Sequence, residues 1–304
     1  LMSRINEKRE AFLDTIIEHP AFGQALDAIK RIHANRGPRA KGTIVYGDSG
    51  VGKTTLIDEY LMENPRVEER DRTRIPVVKI ETHSGQTDKM IVQEVLHALN
   101  WPYPSTATMP RLFALMKKAF KELGVELVFF DEFQEVLPQK TKEFPQIVRF
   151  IKRAMNETGV PWILVGTDQV QSTLELGGNQ IRRRFKGAYH LPAFSIRSRE
   201  DYLVFRDYID LLQQALPFHC KHLTEENNLL RLYCATLGVP GFIANLLDEL
   251  IDFHKDDEVI TLDHLAQAHQ RAFVGSGDTT AGAFLSQNPF LLPIAKVKEI
   301  AGRL

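Results

Sequence analysis

Cysteine is nearly missing: Cys220 and Cys234 are the only two in 304 residues. No disulfide framework holds such a chain, and a reducing compartment fits. His219 and His222 flank Cys220, but their spacing matches none of the usual paired-ligand patterns, which favours structural residues over zinc. Long apolar runs are missing too. None approaches the roughly 20 residues needed to cross a bilayer, and the opening LMSRINEKRE is charged rather than signal-like, so the expectation is a cytoplasmic protein with no membrane partner. Leu1 ahead of Met2 reads as an addition. Neither sign of charge is in excess: 38 basic and 39 acidic side chains leave a formal net charge of −1. That balance argues against a monomer coating nucleic acid by charge alone, but permits a basic surface repeated in an oligomer. Internal repeats are absent, and no zinc-finger or helix-turn-helix pattern suggests base reading.

The hydrophobic content of 43% is ordinary for a globular protein, and the length suits about two units on a prior of roughly 150 residues each. Residues 3–36 read as two helices parted by Pro20 and leading into a core over 37–195. Strands are expected at TIVYG, at 75–82, at 125–132, at 160–167 and at 188–194, with helices at 87–99 and 109–123 between them. Strands alternating with helices predict an α/β fold with a parallel sheet between helical layers. From about 198 the strand signals stop. Helices near 198–215, 224–236, 240–254 and 261–273 predict a small all-helical domain over 196–274, and GSGDTTAGA opens a tail over 275–304.

The first strand runs into GDSGVGKT, which fits G-x-x-x-x-G-K-[ST] with Gly47, Gly52, Lys53 and Thr54. Glycines allow the tight curve that aims backbone N–H groups at phosphates, with Asp48, Ser49, Gly50 and Val51 forming the loop and Thr55 following it. Lys53 would reach the β and γ phosphates, and the Thr54 hydroxyl would bind magnesium. LVFFDE then puts Asp131 at the carboxyl end of a buried strand, where it would hold the same ion through water. Glu132 beside it would activate the attacking water. Adjacent acids can also simply end a strand in solvent, but four apolar residues before them favour hydrolysis. Thr167, ending ILVGT, would lie next to the γ-phosphate if the second and fourth strands flank the loop strand, and there would sense it; an ordinary strand terminus is the alternative. Arg182, Arg183 and Arg184 in NQIRRRF are either a surface patch or the source of an arginine given in trans to a neighbour's phosphate.

With these motifs and a helical lid, residues 20–273 resemble the AAA+ ATPases, which implies a P-loop core carrying ATP and magnesium. More narrowly, IIEHPAFGQALDAI, GDSGVGKT, VFFDEFQ, ILVGT, RRRF and LGVPGFIANLL together resemble the TnsC/TniB branch, regulators of DNA transposition related to the phage protein MuB. That resemblance implies an ATPase that assembles as rings or filaments on double-stranded DNA, chooses a target site and activates a transposase. It also implies an adenine contact around His19 to Phe22 and a lid contact at Pro240 and Gly241. GVPGFIANLL offers no basic residue where many AAA+ lids place an arginine, which leaves backbone or Asn245.

For DNA phosphates the candidates are Arg111, Lys117, Lys118 and Lys121 on one helix, with Lys140 and Lys142 further on; the helix lysines alternatively form a solvated face. NPFLLP (288–293) either docks into a partner's groove or packs on its own lid. Two other readings stand beside the first: an AAA+ loader or signalling switch that acts on proteins without coating DNA, and a small-molecule phosphotransferase. Glu132 and the arginines disfavour the last.

Overall fold

The run Gly42–Tyr46 has no charged residue, and in the computed structural model it forms a strand, β1, whose Ile44 and Val45 are fully buried. A strand covered on both faces reads as a continuous apolar run because it has no solvent side to alternate toward. The structure describes residues 2–137, 146–171, 183–218, 220, 222–253, 259–274 and 287–304. These fall into two compact units, 20–192 and 1–19 with 193–304.

In the first unit, α2 (Pro20–Ala34) precedes β1, and α3 (Lys53–Glu63) follows the glycine loop. A hairpin of β2 (Val67–Glu68) and β3 (Thr73–Arg74) leads to β4 (Val77–Glu81), α4 (Asp88–Ala98), α5 (Met109–Leu123) and β5 (Leu127–Asp131). A short 3-10 turn (Phe133–Val136), α6 (Gln146–Thr158), β6 (Trp162–Gly166) and β7 (Phe185–His190) complete it. The sheet order is β4-β5-β6-β1-β7, and every pairing is parallel. Thus the expected flanking of the loop strand needs correction. The fourth expected strand, β6, does lie beside β1, but the fifth, β7, takes the other side, and the second, β4, lies at the far edge. Apolar runs specify that strands are buried but not their order.

β7 also begins three residues before the expected position. Its residues Lys186 and Gly187 are exposed, so an edge strand lacks the apolar signature of an interior one. The sequence reading missed the β2–β3 hairpin, too short and exposed to leave a pattern, and α6. The latter has a clear helical stripe, with Ile147, Val148, Phe150, Ile151, Ala154 and Met155 all buried.

The second unit is helical. It contains α1 (Met2–Leu13), α7 (Arg199–Ala215), α8 (Glu226–Thr236), α9 (Pro240–Phe253), α10 (Leu262–His269), a π-helical turn (Gln270–Val274) and α11 (Ile294–Ala301). Phe205, Ile209, Leu229, Leu232, Ile243 and Leu246 are all fully buried in its core. Ser198 caps α7 by accepting the Asp201 N–H, and Thr261 with His264 forms a capping box at α10, each satisfying N–H groups that a helix start leaves open. The expected segment 1–36 divides at Pro20. α1 groups with the helical unit, where Phe12 joins the core and Arg9 donates two hydrogen bonds to Asp248 of α9.

NPFLLP also packs within this unit. Arg231, itself buried, donates to the carbonyls of Pro289 and Leu292, Asn288 donates to the Ala266 carbonyl, and Phe290 is 3% exposed. Among the described residues no single helix is long and apolar enough to cross a membrane.

Candidate active site

The glycine loop joins the carboxyl end of β1 to α3. Gly47 donates its N–H to the Gly166 carbonyl at 3.1 Å, which keeps the ends of β1 and β6 adjacent. A Cβ on Gly47 would lie 2.2 Å from the Leu191 carbonyl oxygen, so no other residue fits there. Gly50 and Gly52 hold φ of 80° and 98°, the left-handed region open to glycine. α3 starts with no side-chain cap on Gly52, and the N–H groups of such a helix start, with the helix dipole, suit an anion. The Lys53 ammonium is buried and donates to the carbonyls of Gly47 and Asp48 at 2.8 and 2.7 Å, which curls the loop around it. Burial pushes its pKa down, and Glu132, Asp131, Asp48 and Asp168 oppose that shift.

Asp131 ends β5 and is 3% exposed. Its Oδ2 lies 3.5 Å from the Thr54 hydroxyl and 3.7 Å from Lys79 Nζ. Burial raises the pKa of this carboxyl, while the Glu132 N–H and Lys79 counter it. A hydroxyl and a carboxylate side by side form an all-oxygen donor set of the kind magnesium takes, so these residues fit that ion. Glu132 follows in the left-handed region at φ 51°, a conformation that strains a residue with a Cβ. The Thr82 hydroxyl holds this corner, donating to the carbonyls of Asp131 and Glu132 at 3.0 and 2.7 Å. Thr167, just past β6, has a hydroxyl oxygen that is buried and has no hydrogen-bond partner among the described residues. An orphaned polar group of this kind costs free energy unless a ligand completes it.

Lys53, Thr54, Asp131, Glu132 and Thr167 therefore converge at the carboxyl ends of β1, β5 and β6. Gln134, which sequence reasoning did not single out, joins them: its Nε2 donates to the Glu132 carboxylate and its Oε1 accepts the Thr167 N–H at 3.1 Å. No periodicity marks such a residue. Thr82 had a signal, since it directly follows a buried strand as Thr167 does.

Arg183 and Arg184 are elsewhere. Gly42, at the amino end of β1, donates to the Arg184 carbonyl, and Arg184 donates to the Ala40 carbonyl at 3.2 Å; Arg183 is exposed. Five residues of extended chain, about 16 Å, separate that end from Gly47, beyond an arginine's reach within one copy. Arg182 lies outside the described residues, as do Lys140, Lys142 and His219. On α5, Lys117 pairs with Glu157 at 2.8 Å and Lys118 with Glu122 at 3.6 Å, while Arg111 and Lys121 are exposed. Phe22 is buried on α2, whereas Pro240 and Gly241 open α9 of the helical unit. The boundary between the units falls between His19 and Pro20, inside the segment expected at the adenine. Cys220 and Cys234 are buried free thiols, and no metal-ligand cluster occurs among the described residues.

Solved structures with the same architecture include ORC proteins. The Aeropyrum pernix ORC2 protein in its ADPNP-ADP complexes matches with a TM-score of 0.60 at 16% identity, over 85% of this chain and 69% of that one. The Aeropyrum pernix ORC1 protein in complex with DNA matches with 0.58 at 13%, over 97% and 86%. Drosophila ORC bound to DNA gives 0.51 at 13%, over 91% and 67%. At these identities the likeness establishes an AAA+ fold. No curated protein matches the chain. The model of the bacterial TniB proteins matches residues 6–195, from α1 through the whole sheet and every phosphate-site residue described above. A match over more than half of the sequence places this chain in the bacterial TniB family.

Proposed function

We propose that this chain is an ATPase that regulates DNA transposition by assembling on double-stranded DNA, where it marks a target site and recruits and activates a transposase. The observation that carries the ATPase part is the convergence of buried Lys53, the Thr54–Asp131 oxygen pair, Glu132 and the orphaned Thr167 hydroxyl at one end of the sheet. Loop N–H groups and Lys53 hold the β and γ phosphates, Glu132 takes the proton of the attacking water, and Thr167 donates to a γ-phosphate oxygen. Magnesium held by Thr54 and Asp131 would neutralise charge developing on the phosphate oxygens. Arg183 or Arg184 of a neighbouring copy supplies the remaining positive charge, since neither reaches the site within its own chain.

The DNA-related part is supported by the TniB family and by ORC neighbours whose structures contain DNA. Arg111, Lys117, Lys118 and Lys121 of α5, with Lys140 and Lys142, are the cations offered to phosphates; of those on α5, Arg111, Lys118 and Lys121 are exposed. In domain terms we assign 37–195 to the ATPase core and 196–274 to the lid, with α1 and the 288–293 part of the tail packed within the lid's unit. Phe22 is assigned to the nucleotide's adenine, as the family resemblance implies.

Glu132→Gln should bind ATP as the wild type does, yet lose about 100-fold or more in turnover, and accumulate assemblies on duplex DNA. Lys53→Ala should lose both binding and turnover. Steady-state hydrolysis with and without duplex, nucleotide titration and electron microscopy of the mixtures check this. Wild-type turnover by Glu132→Gln would sink the assignment of the base. Robust ATP hydrolysis with no particles on DNA at low salt would instead favour a switch acting on protein partners.

A further inference from the structure

We infer that Gln134 is a positioning residue for hydrolysis: its carboxamide ties the Glu132 carboxylate to the backbone of Thr167, so that the base is aimed according to how the end of β6 sits. The inference rests on the reading of the site as an ATPase.

The orientation of this amide is fixed by chemistry. The Thr167 N–H can only donate, so Oε1 must face it, and the Nε2 hydrogens are left for a carboxylate that can only accept. The flipped amide would set N–H against N–H and oxygen against oxygen. The space for the group is also particular: a Cβ on Gly166 would come within 2.2 Å of Oε1 and 2.7 Å of Val170 Cγ2. Glycine at 166 is therefore what lets the carboxamide lie against the end of β6.

The backbone delivers the side chain to that space. Left-handed Glu132 breaks β5, the 3-10 turn begins at Phe133, and the Glu135 N–H closes back on the Glu132 carbonyl at 2.9 Å. Gln134 is thereby folded toward the sheet instead of continuing along the strand. The Thr82 hydroxyl pins the two carbonyls at the start of this turn, so the turn cannot slide without breaking those bonds.

Thr167 has two roles at one residue. Its N–H holds Gln134, while its buried hydroxyl has no partner among the described residues. A phosphate oxygen bonded to that hydroxyl acts on the same residue that orients Gln134, and through it on Glu132. An amide is neither acid nor base at neutral pH, so the contribution of Gln134 is placement, and a misplacement of about 1 Å at such a site costs on the order of 100-fold in rate.

The test uses the full chain with Gln134→Ala and Gln134→Glu. Gln134→Ala should bind a non-hydrolysable ATP analogue within about threefold of the wild type and lose about 10- to 100-fold in kcat. Gln134→Glu keeps the shape but sets two carboxylates together, and its kcat profile should move its acid limb to higher pH, because neighbouring carboxylates hold a proton more tightly than one alone. This second variant also carries the test if Gln134→Ala does not fold. A kcat within twofold of the wild type for Gln134→Ala, or a Gln134→Glu profile parallel to the wild type, overturns the inference. Glu132→Gln measured alongside distinguishes the failures: an inactive Glu132→Gln beside an active Gln134→Ala sinks this inference alone, while equal turnover by Glu132→Gln and wild type sinks the site assignment with it.

Discussion

Thr167 shows at the scale of one residue how a site differs from a well-finished interior. A buried hydroxyl with no partner costs about 1–3 kcal/mol relative to one that is bonded. Valine has nearly its shape and no polar atom. Thr167→Val should accordingly melt at or above the wild-type temperature in the absence of nucleotide, yet hydrolyse ATP at least about 10-fold more slowly. Differential scanning calorimetry and a phosphate-release assay check the pair of outcomes, and a variant less stable than wild type with full turnover would show the hydroxyl to be structural. Thr167, Lys53, Thr54, Asp131 and Glu132 were legible in the sequence because each lies at a fixed place beside a strand end or a glycine loop. Gln134 was not, because its role depends on a left-handed turn, and nothing in DEFQ announces that Glu132 will take one.

Elements were legible in proportion to their burial. β1, β5 and β6, interior strands with continuous apolar runs, were expected close to where they lie, whereas edge strand β7 started earlier than expected and the two-residue strands of the hairpin passed unseen. α6 was missed despite a plain helical stripe. The strand order, a matter of long-range contacts, was beyond the local pattern. The tail is instructive at this scale. NPFLLP lies on the helical unit because Arg231 of α8 donates to two of its carbonyls and Phe290 enters the core, although Leu291 stays 67% exposed. Without that guanidinium the carbonyls lose buried donors. Arg231→Ala should loosen 288–293 and α11 behind it, with faster cleavage in this segment under limited proteolysis and a loss of about 1–3 kcal/mol on urea unfolding. An unchanged cleavage pattern would mean that Phe290 and Val297 suffice to hold it.

For the whole molecule, stability against pH carries a signature from His269. Its ring is fully buried between Phe273 and Phe290, neither nitrogen has a partner among the described residues, and burial pushes its pKa down to about 4 from 6.5. Below pH 6.5 the unfolded chain takes up a proton that the folded one refuses. The stability present above 6.5 is therefore lost progressively as the pH falls toward 4, by at most about 3 kcal/mol from this group. His269→Leu should flatten that limb when unfolding free energies are compared between pH 7 and 5; parallel curves for the two proteins would remove His269 as the cause.

If, as proposed, a neighbouring copy supplies the remaining positive charge, the placing of Arg183 and Arg184 at the foot of β1, with the phosphate loop at its head, has an arithmetic outcome for any open row of copies. Each neighbour-completed centre needs a junction, and a row has one junction fewer than it has members. A terminal copy is then always silent, a pair runs at about half the per-copy speed of a long row, and only closure into a circle removes the deficit. Specific activity would thus climb with protein concentration and level off, without any change in the chemistry of a single centre.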